Sequence, residues 1–242
     1  MSIPTDIELS VVILCYRSEE SIIPFAQKTK ELITSLSPQS EIVLVGNYWE
    51  GSGDRTQQVV EKIAAEDPMF KAICKPKEGM MGWDMRMGLE HASGRYICVI
   101  DGDGQFPIES IAHCFEIIKK GEFGLVKTYR EQRNDGFYRR LISGGYNLLF
   151  KALFSSIRSK DVNSKPKMLT REAYQRLDLH SDDWFIDAEI MIQVGRHRIP
   201  FYEFPVVFEE LEGRQSFVKI AAIFEFMKNL VAYRFREYGK RK

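Results

Sequence analysis

The sequence has no hydrophobic run long enough to cross a membrane, because no uninterrupted apolar stretch reaches the ~20 residues that a spanning helix needs. The opening segment MSIPTDIELS has no charged region followed by an apolar one, so we do not expect it to act as a signal peptide. Its 4 cysteines form no CxxC pair and mostly lie in apolar runs, which is typical of buried thiols in a reducing compartment. We therefore expect a cytoplasmic protein, and peripheral contact with a membrane stays open.

The chain has no excess of charge of either sign. Lysine plus arginine and aspartate plus glutamate each number 34 among the 242 residues. A balanced chain produces no overall field that would attract nucleic acid, so we expect no nucleic-acid partner and anion binding only at local clusters. Hydrophobic residues make up 44% of the sequence, which is enough to bury the core of one domain, with or without an appendage.

Strands alternate with helices in the first half of the chain. Short apolar runs predict strands over 11–16, 41–46, 71–74 and 96–101, and helical spacing predicts helices over 19–36, 54–65 and 81–92. The strand runs do not alternate with polar residues, which indicates burial on both faces. This order predicts an α/β fold with a doubly wound, mainly parallel sheet and helices on both of its faces. Ligands of such sheets bind beyond the carboxyl ends of the strands.

Local signals predict where the helices begin and end. Asp54 and Gln57 have the spacing of a capping box, and Gly94 is placed for a left-handed helix stop. Pro107 is expected to open a helix that ends near Gly121, because proline favours the first helical position and glycine favours the residue after the last.

The second half is predicted to hold a strand over 123–128, a charged loop facing the ligand over 130–140, a helix over 141–154, a connector over 161–167 and a strand over 201–208. Pro205 favours an edge position for the last strand, since proline donates no backbone hydrogen bond. Thr170 and Asp182 are expected to cap a short helix and a longer helix through Val194.

The C-terminal segment predicts an amphipathic helix over 216–238, followed by basic residues. We accordingly divide the chain into a domain over 1–215 and this helix within 216–242. A basic amphipathic helix can lie in a membrane interface, pack on the sheet domain or form a homodimer interface, and these alternatives stay open.

Two carboxylates lie two residues apart in the run YICVIDGDGQFP, where the fourth predicted strand ends. Residues two apart in extended chain point the same way, so Asp101 and Asp103 can converge, and Gln105 can join them. Such oxygen ligands suit Mg²⁺ or Mn²⁺, which would also hold phosphate oxygens and neutralise a departing diphosphate. A solvent-exposed Asp-Gly turn is the alternative, but the preceding strand and the following Pro107 favour the metal site.

This run resembles the DXD region of the family 2 inverting glycosyltransferases of the GT-A type. It is most similar to the branch that includes dolichyl-phosphate mannose synthase and related polyprenyl-phosphate transferases. Further segments resemble this branch in the same order: VVILCYRSEESI, EGMMGWDMRMGLEHASGRY, RRLISGGYN, DVNSKPKMLTRE and FIDAEIMIQ followed by FYEFPVVF. The likeness covers most of the chain. It implies transfer of a sugar, with inversion, from a nucleotide-sugar donor to a polyprenyl phosphate or a saccharide.

The resemblance also implies roles for individual residues. Asp101, Asp103 and Gln105 would bind the metal. The expected donor-binding residues are Tyr16, Arg17, Asn47, Arg86 and Asp101. The expected phosphate-binding or acceptor-binding residues are Arg130, Arg139, Ser143, Lys167 and Arg214. The planar fork of arginine suits phosphate, although any single arginine of this set could also belong to a solvated loop.

Asp187 and Glu189 are the candidates for a catalytic base. A sugar hydroxyl acceptor needs such a base, whereas a phosphate acceptor is already an anion and needs none. Residues two apart on a helix do not share a face, so at most one of the two is expected to face the cleft. Glu189 matches the family motif better than Asp187 does.

The sequence departs from the family pattern mainly around the donor nucleotide. The usual paired aspartates after the second strand are Gly46 and Asn47, the usual Asn-Glu after Tyr16 is Arg17-Ser18, and the usual Gly-Phe-Arg is Lys165-Pro166-Lys167. These changes motivate an alternative, in which the chain is a non-catalytic or regulatory domain with a degenerate donor site.

Overall fold

The computed structural model describes residues 6–132, 145, 148–154, 157–208 and 228–235. In chain order, the elements in these ranges are β1 Leu9–Leu14, a 3-10 turn Glu19–Ser21, α1 Ile22–Leu36, β2 Ser40–Val45, α2 Thr56–Glu66, β3 Phe70–Ile73, α3 Met81–His91, β4 Tyr96–Asp101, α4 Glu109–Ile118, β5 Leu125–Gln132, α5 148–153, β6 Lys167–Thr170, α6 Arg171–Gln175, α7 Ile186–Arg196, β7 Phe201–Val207 and α8 228–235.

The strands form one sheet in the order β3-β2-β1-β4-β6-β5-β7. β1 pairs in parallel with both β2 and β4, and this register aligns Leu14 with Val45 and with Asp101. β6 is antiparallel to β4 and to β5, so Lys167 at its beginning lies opposite Val99 near the end of β4. The sheet is mainly parallel, as predicted, and its one reversed strand brings the segment before β6 to the edge where β4 ends.

The core lies on both faces of the sheet because the central strands are buried throughout. Every residue of β1 and β2 is buried. Val12 and Leu14 pack in one cluster with side chains of α3 and α7, whereas Val11 and Ile13 pack in the other with side chains of α1 and α4. This arrangement explains why the strand runs are apolar at consecutive positions.

The predicted strands of the first half are confirmed. The prediction that they are buried on both faces is wrong for β3, because Lys71 and Ala72 are exposed. Several helix ends also differ from the prediction. The capping box is wrong, because Asp54 Oδ1 accepts a hydrogen bond from the Thr56 N–H at 3.0 Å, while Arg55 occupies the N-cap. Gly94 does not have a positive φ. A Cβ at Gly94 would lie 2.6 Å from the Ser10 nitrogen, so its role is to permit close approach of two chain segments.

The remaining helix signals are partly confirmed. Gly121 has a φ of 80°, as expected after a helix end, and Thr170 accepts from the Ala173 N–H at 3.1 Å. The helix that Pro107 was expected to open begins two residues later, at Glu109. Asp182 does not cap α7, which begins at Ile186.

The C-terminal half contains corrections and predictions that fall partly outside the described ranges. The strand predicted over 123–128 continues to Gln132, so the beginning of the predicted loop is part of β5. Pro205 lies in β7, which is an edge strand of the sheet as predicted. α5 and α8 are the described parts of two predicted helices, and the predicted domain boundary at 215 lies outside the described residues. None of the helices described is long and apolar enough to cross a membrane.

Gly88 provides a test of how tightly α3 packs on the sheet. A Cβ at this position would lie 2.3 Å from Val12 Cγ1 and 2.9 Å from Val45 Cγ2. We expect Gly88→Ala to lower the free energy of unfolding by about 1–3 kcal/mol, because the overpacking outweighs the better helix propensity of alanine. Urea denaturation measures the change. The control is Glu90→Ala on the exposed face of the same helix, for which a change within about 0.5 kcal/mol is expected. Equal effects of the two substitutions would contradict the packing argument.

Candidate active site

A tight turn follows β4 at the edge of the sheet where the parallel strands end. The Gly102 N–H donates to the Leu14 carbonyl at 2.9 Å, and a Cβ on Gly102 would lie 2.6 Å from Ile22 Cδ1. Gly104 has a φ of 75°, a conformation that favours glycine. The Gln105 N–H donates to Asp103 Oδ1 at 3.0 Å. The glycines and this local hydrogen bond together fix the turn.

The turn carries two carboxylates, which are the kind of oxygen donor that binds a divalent cation. Asp101 and Asp103 are both partly exposed. Within the described ranges, no group of three or more His, Cys, Asp or Glu side chains is arranged to hold a metal ion. Mg²⁺ is commonly bound by one or two carboxylates together with substrate phosphates, and it keeps several waters. The residues present therefore fit a divalent cation whose coordination a phosphorylated ligand completes.

One carboxylate oxygen of Asp101 already has a cationic neighbour. Lys165 Nζ lies 3.4 Å from Asp101 Oδ2 and 3.1 Å from Asp187 Oδ2, and the lysine side chain is only 2% exposed. Burial lowers the pKa of Lys165, but Asp101 and Asp187 more than offset this effect and hold the pKa above its usual value. A charged ammonium therefore links the turn after β4 to the first turn of α7.

The Asp187 carboxylate is enclosed between two lysines. Its Oδ1 lies 2.5 Å from Lys167 Nζ, its Oδ2 accepts from Lys165, and the residue is only 1% exposed. Burial raises the pKa of Asp187, but the two ammonium groups outweigh burial and hold this pKa below its usual value. A general base must be free to take a proton from the acceptor. This placement does not support the predicted catalytic role of Asp187.

Lys167 does not face the exposed part of the site. It is fully buried, and its Nζ donates to the Ser164 carbonyl at 2.8 Å in addition to its contact with Asp187. Burial lowers the pKa of Lys167 to about 8, and the attraction of Asp187 offsets burial only in part. The predicted phosphate contact of Lys167 is therefore not supported, because its ammonium group serves an internal carboxylate.

Glu189 and Arg86 both bind the loop that precedes α7. Glu189 is buried, and its Oε2 accepts from the N–H groups of His180 at 3.1 Å and Ser181 at 2.8 Å. Arg86 Nη1 donates to Asp182 Oδ1 at 2.5 Å. The two side chains predicted to act in catalysis and in donor binding thus hold this loop in place.

The predicted donor-binding residues Tyr16 and Asn47 lie at the ends of β1 and β2. Asn47 Nδ2 donates to Asp84 Oδ1 at 2.9 Å, and Lys77 forms an ion pair with the same carboxylate. Lys77 Nζ also lies 4.6 Å from the centroid of the Tyr16 ring. Asn47, Lys77 and Asp84 are buried, so they form a closed polar cluster beneath this part of the edge. Arg17 is exposed, with a φ of 53°.

Arg130 is the described member of the predicted phosphate-binding loop. Its Nε and Nη2 donate to Asp161 Oδ2 at 2.7 Å and Oδ1 at 3.1 Å, which is the two-pronged geometry that arginine forms with carboxylates. The other predicted phosphate-binding residues, Arg139, Ser143 and Arg214, lie outside the described residues.

Three buried residues at this edge, Lys77, Asp84 and Lys165, have no role in the sequence-based prediction. Two features of the sequence could have indicated them. Lys165 is a charged residue where the family pattern has glycine, and Asp84 is a carboxylate on a helix that otherwise contributes apolar side chains to the core. The partners could not be predicted, because they are distant in sequence.

A cavity of about 500 Å³ lies near α7 and α8. Its lining includes Arg176, His180, Glu189, Gln193 and Tyr233. Asp101, Asp103 and Lys165 do not line this cavity. It is therefore distinct from the turn after β4.

Comparisons with known proteins connect this arrangement to one family. Residues 10–178 match the sequence profile of the family described as Glycosyl transferase family 2. The chain is 25% identical to dolichyl-phosphate beta-glucosyltransferase ALG5A of Trichomonas vaginalis. That alignment spans 247 residues and covers 94% of this chain and 73% of that protein. It is 28% identical to dolichol-phosphate mannosyltransferase of Pyrococcus furiosus. That alignment spans 228 residues and covers 92% of this chain and 62% of that protein.

The fold is similar to that of glucosyl-3-phosphoglycerate synthase from Mycobacterium tuberculosis. The complex of that enzyme with Mn²⁺, uridine diphosphate and phosphoglyceric acid matches with a TM-score of 0.68 at 15% identity, over 93% of this chain and 76% of that chain. Its complex with Mg²⁺ and uridine diphosphate matches with a TM-score of 0.67 at 16% identity, over 93% of this chain and 77% of that chain. The likeness confirms the predicted GT-A-type α/β fold.

Replacing Asp187 tests the ion pairs that join α7 to the edge of the sheet. Asp187→Asn would leave the Lys165 and Lys167 ammonium groups without their common carboxylate in a buried place. We expect the free energy of unfolding to fall by about 3–5 kcal/mol, measured by urea denaturation. Asp178→Asn is the matched control, since it makes the same chemical change at a side chain that is 79% exposed. A loss no larger than that of the control would show that the buried pairs do not stabilise the fold.

The pKa of Lys167 predicts a dependence of stability on pH. An unfolded lysine titrates near pH 10.4, whereas the folded pKa is about 8, so the unfolded chain binds more protons between these values. Through this group, the free energy of unfolding therefore rises with pH over that window. The stability of the wild type minus that of Lys167→Met should increase from about pH 8 to about pH 10 in urea denaturation. The corresponding difference for Lys28→Met, at an exposed lysine, provides the baseline. A flat or falling difference for Lys167→Met would contradict this linkage.

Proposed function

Because the chain belongs to glycosyl transferase family 2, we propose that it transfers a hexose from a nucleoside-diphosphate sugar to a polyprenyl phosphate. The observation that carries this proposal is the family match together with the partly exposed Asp101 and Asp103 at the carboxyl edge of the parallel strands. This is the edge where open α/β sheets bind their ligands.

On the donor side, Asp101, Asp103 and Gln105 would hold a divalent cation against the diphosphate of the donor. The cation would neutralise the negative charge that develops on the departing diphosphate. The similar Mycobacterium tuberculosis enzyme was crystallised with uridine diphosphate and either Mn²⁺ or Mg²⁺, which supports a divalent cation bound together with a nucleoside diphosphate. The buried cluster of Asn47, Lys77 and Asp84 would support the donor pocket from below, with the Tyr16 ring beside it.

On the acceptor side, the structure favours a phosphate over a sugar hydroxyl. Asp187 and Glu189, the predicted bases, are both buried and hold internal partners. A phosphate acceptor is already an anion and requires no general base. Relatives named as dolichyl-phosphate glucosyltransferases and as a mannosyltransferase support the same acceptor class. Direct attack of the phosphate oxygen on the anomeric carbon would displace the diphosphate and invert the configuration.

The lipid chain of such an acceptor supports peripheral contact with a membrane. Phe235 in α8 and Leu148 at the beginning of α5 are 72% and 70% exposed. Contact of the C-terminal helix with a membrane or with a second copy stays a prediction, as do the phosphate contacts of Arg139, Ser143 and Arg214.

A transfer assay tests the proposed function. The purified chain is incubated with a polyprenyl phosphate in detergent, Mn²⁺ or Mg²⁺, and a panel that contains UDP-glucose and GDP-mannose. We expect transfer from one donor, and we expect Asp103→Ala to lower kcat/KM by about 100-fold or more, the order seen when a charge-stabilising contact is lost.

The exposed Asp178→Asn serves as the control and should keep the activity of the wild type. Calorimetric titration with nucleoside diphosphates and Mn²⁺ accompanies the assay. If Asp101→Ala and Asp103→Ala bind nucleotide with the same Mn²⁺-dependent affinity as the wild type, the turn after β4 is not the metal-binding site. If no nucleoside diphosphate binds, the alternative of a degenerate donor site is favoured instead.

A further inference from the structure

Lys165 connects the predicted metal-binding turn to a carboxylate that already has a cation. Lys167 lies 2.5 Å from Asp187 Oδ1, so Lys165 is the second ammonium group on Asp187. Lys165 also contacts Asp101, whose Oδ2 lies 3.4 Å from the lysine Nζ. Two ammonium groups therefore face two carboxylates, and the positive charge of Lys165 is shared between Asp187 and Asp101.

The Lys165 ammonium cannot easily move away from Asp101. Its side chain is 2% exposed, and Nζ also lies 3.4 Å from Met81 Sδ. The backbone is held as well, because Thr128 Oγ1 donates to the Lys165 carbonyl at 2.6 Å. Departure of the ammonium group would leave the buried Asp187 with one cationic partner instead of two, which is unfavourable.

A divalent cation at Asp101 must therefore bind close to a fixed positive charge. Repulsion between the two cations weakens binding of the metal alone, and it is strong because the site is partly shielded from water. A diphosphate supplies negative charge on the exposed side of the metal and offsets that repulsion. Binding of metal and binding of diphosphate are then coupled, and the coupling is reciprocal.

We propose that Lys165 is a positioning residue that holds Asp101 and makes binding of the divalent cation depend on the diphosphate of the donor. This inference rests on the proposed function, because the metal and the diphosphate both belong to it. Free metal alone would occupy the turn weakly, and the site would assemble when donor and metal arrive together.

Calorimetric titration of the full chain tests the coupling without any sugar transfer. The probes are Mn²⁺ alone, inorganic pyrophosphate alone and their one-to-one complex. The wild type should bind the complex about tenfold or more tightly than Mn²⁺ alone, within the usual range of coupling between two ligands. In Lys165→Met, Mn²⁺ alone should bind about tenfold more tightly, so the advantage of pyrophosphate should shrink by about the same factor.

Two further variants separate this role from a general structural one. Lys165→Arg keeps the positive charge and should retain weak binding of Mn²⁺ alone. Lys167→Met removes a buried ammonium group from the same Asp187 without removing a contact with Asp101, and should change Mn²⁺ affinity much less than Lys165→Met does. Circular dichroism checks that each variant is folded. The comparison in the wild type needs no variant and tests the coupling even if Lys165→Met does not fold.

The inference is overturned if wild-type protein binds Mn²⁺ equally well with and without pyrophosphate, or if folded Lys165→Met shows wild-type affinity for Mn²⁺. Failure of the proposed function gives a different result. Coupled binding of Mn²⁺ and pyrophosphate without transfer from any donor would contradict the proposed function alone. Transfer activity with unchanged Mn²⁺ affinity in Lys165→Met would contradict only the role of Lys165.

Discussion

The buried Asp187 carboxylate, paired with Lys165 and Lys167, is the interaction on which the candidate site depends. It joins the first turn of α7 to β6 and to the segment before it, and Lys165 extends the connection to Asp101 at the end of β4. Charges in a protein interior are tolerated only when they are paired and hydrogen-bonded. Because each partner would be costly to leave alone, the ion pairs restrict how α7 and β6 can be placed against the turn.

A second set of buried charges fixes the segment that carries Lys165. Lys127 in β5 is fully buried, and its Nζ donates to the Asp161 carbonyl at 2.5 Å and lies 3.4 Å from Glu203 Oε2. Glu203 in β7 in turn accepts from the Ser159 hydroxyl at 2.9 Å. Residues 159–161, where the predicted polar connector begins, are therefore anchored to two strands of the sheet. The polar residues of this segment lie beside buried ion pairs. A solvated loop would have the same composition, so the sequence alone does not distinguish the two.

The sequence predicts the frame of the site well because the frame depends on local patterns. Apolar runs identify β1 to β4, and the spacing of Asp101 and Asp103 after a buried strand identifies the turn. The partners of buried charges depend on long-range placement. β6 is antiparallel in a mainly parallel sheet, and this reversal brings Lys165 beside Asp101. Helical spacing correctly places Asp187 and Glu189 on different faces of α7. It cannot show that each carboxylate binds a group inside the protein.

The departures from the family pattern come with compensating charges in the structure. Where the family has paired aspartates after the second strand, Asn47 instead donates to the carboxylate of Asp84 in α3, which Lys77 neutralises. Where the family has Gly-Phe-Arg, Lys165 and Lys167 share the Asp187 carboxylate. Uncompensated buried charges destabilise a fold whether or not it binds a donor, so this pairing accounts for how the altered positions are accommodated.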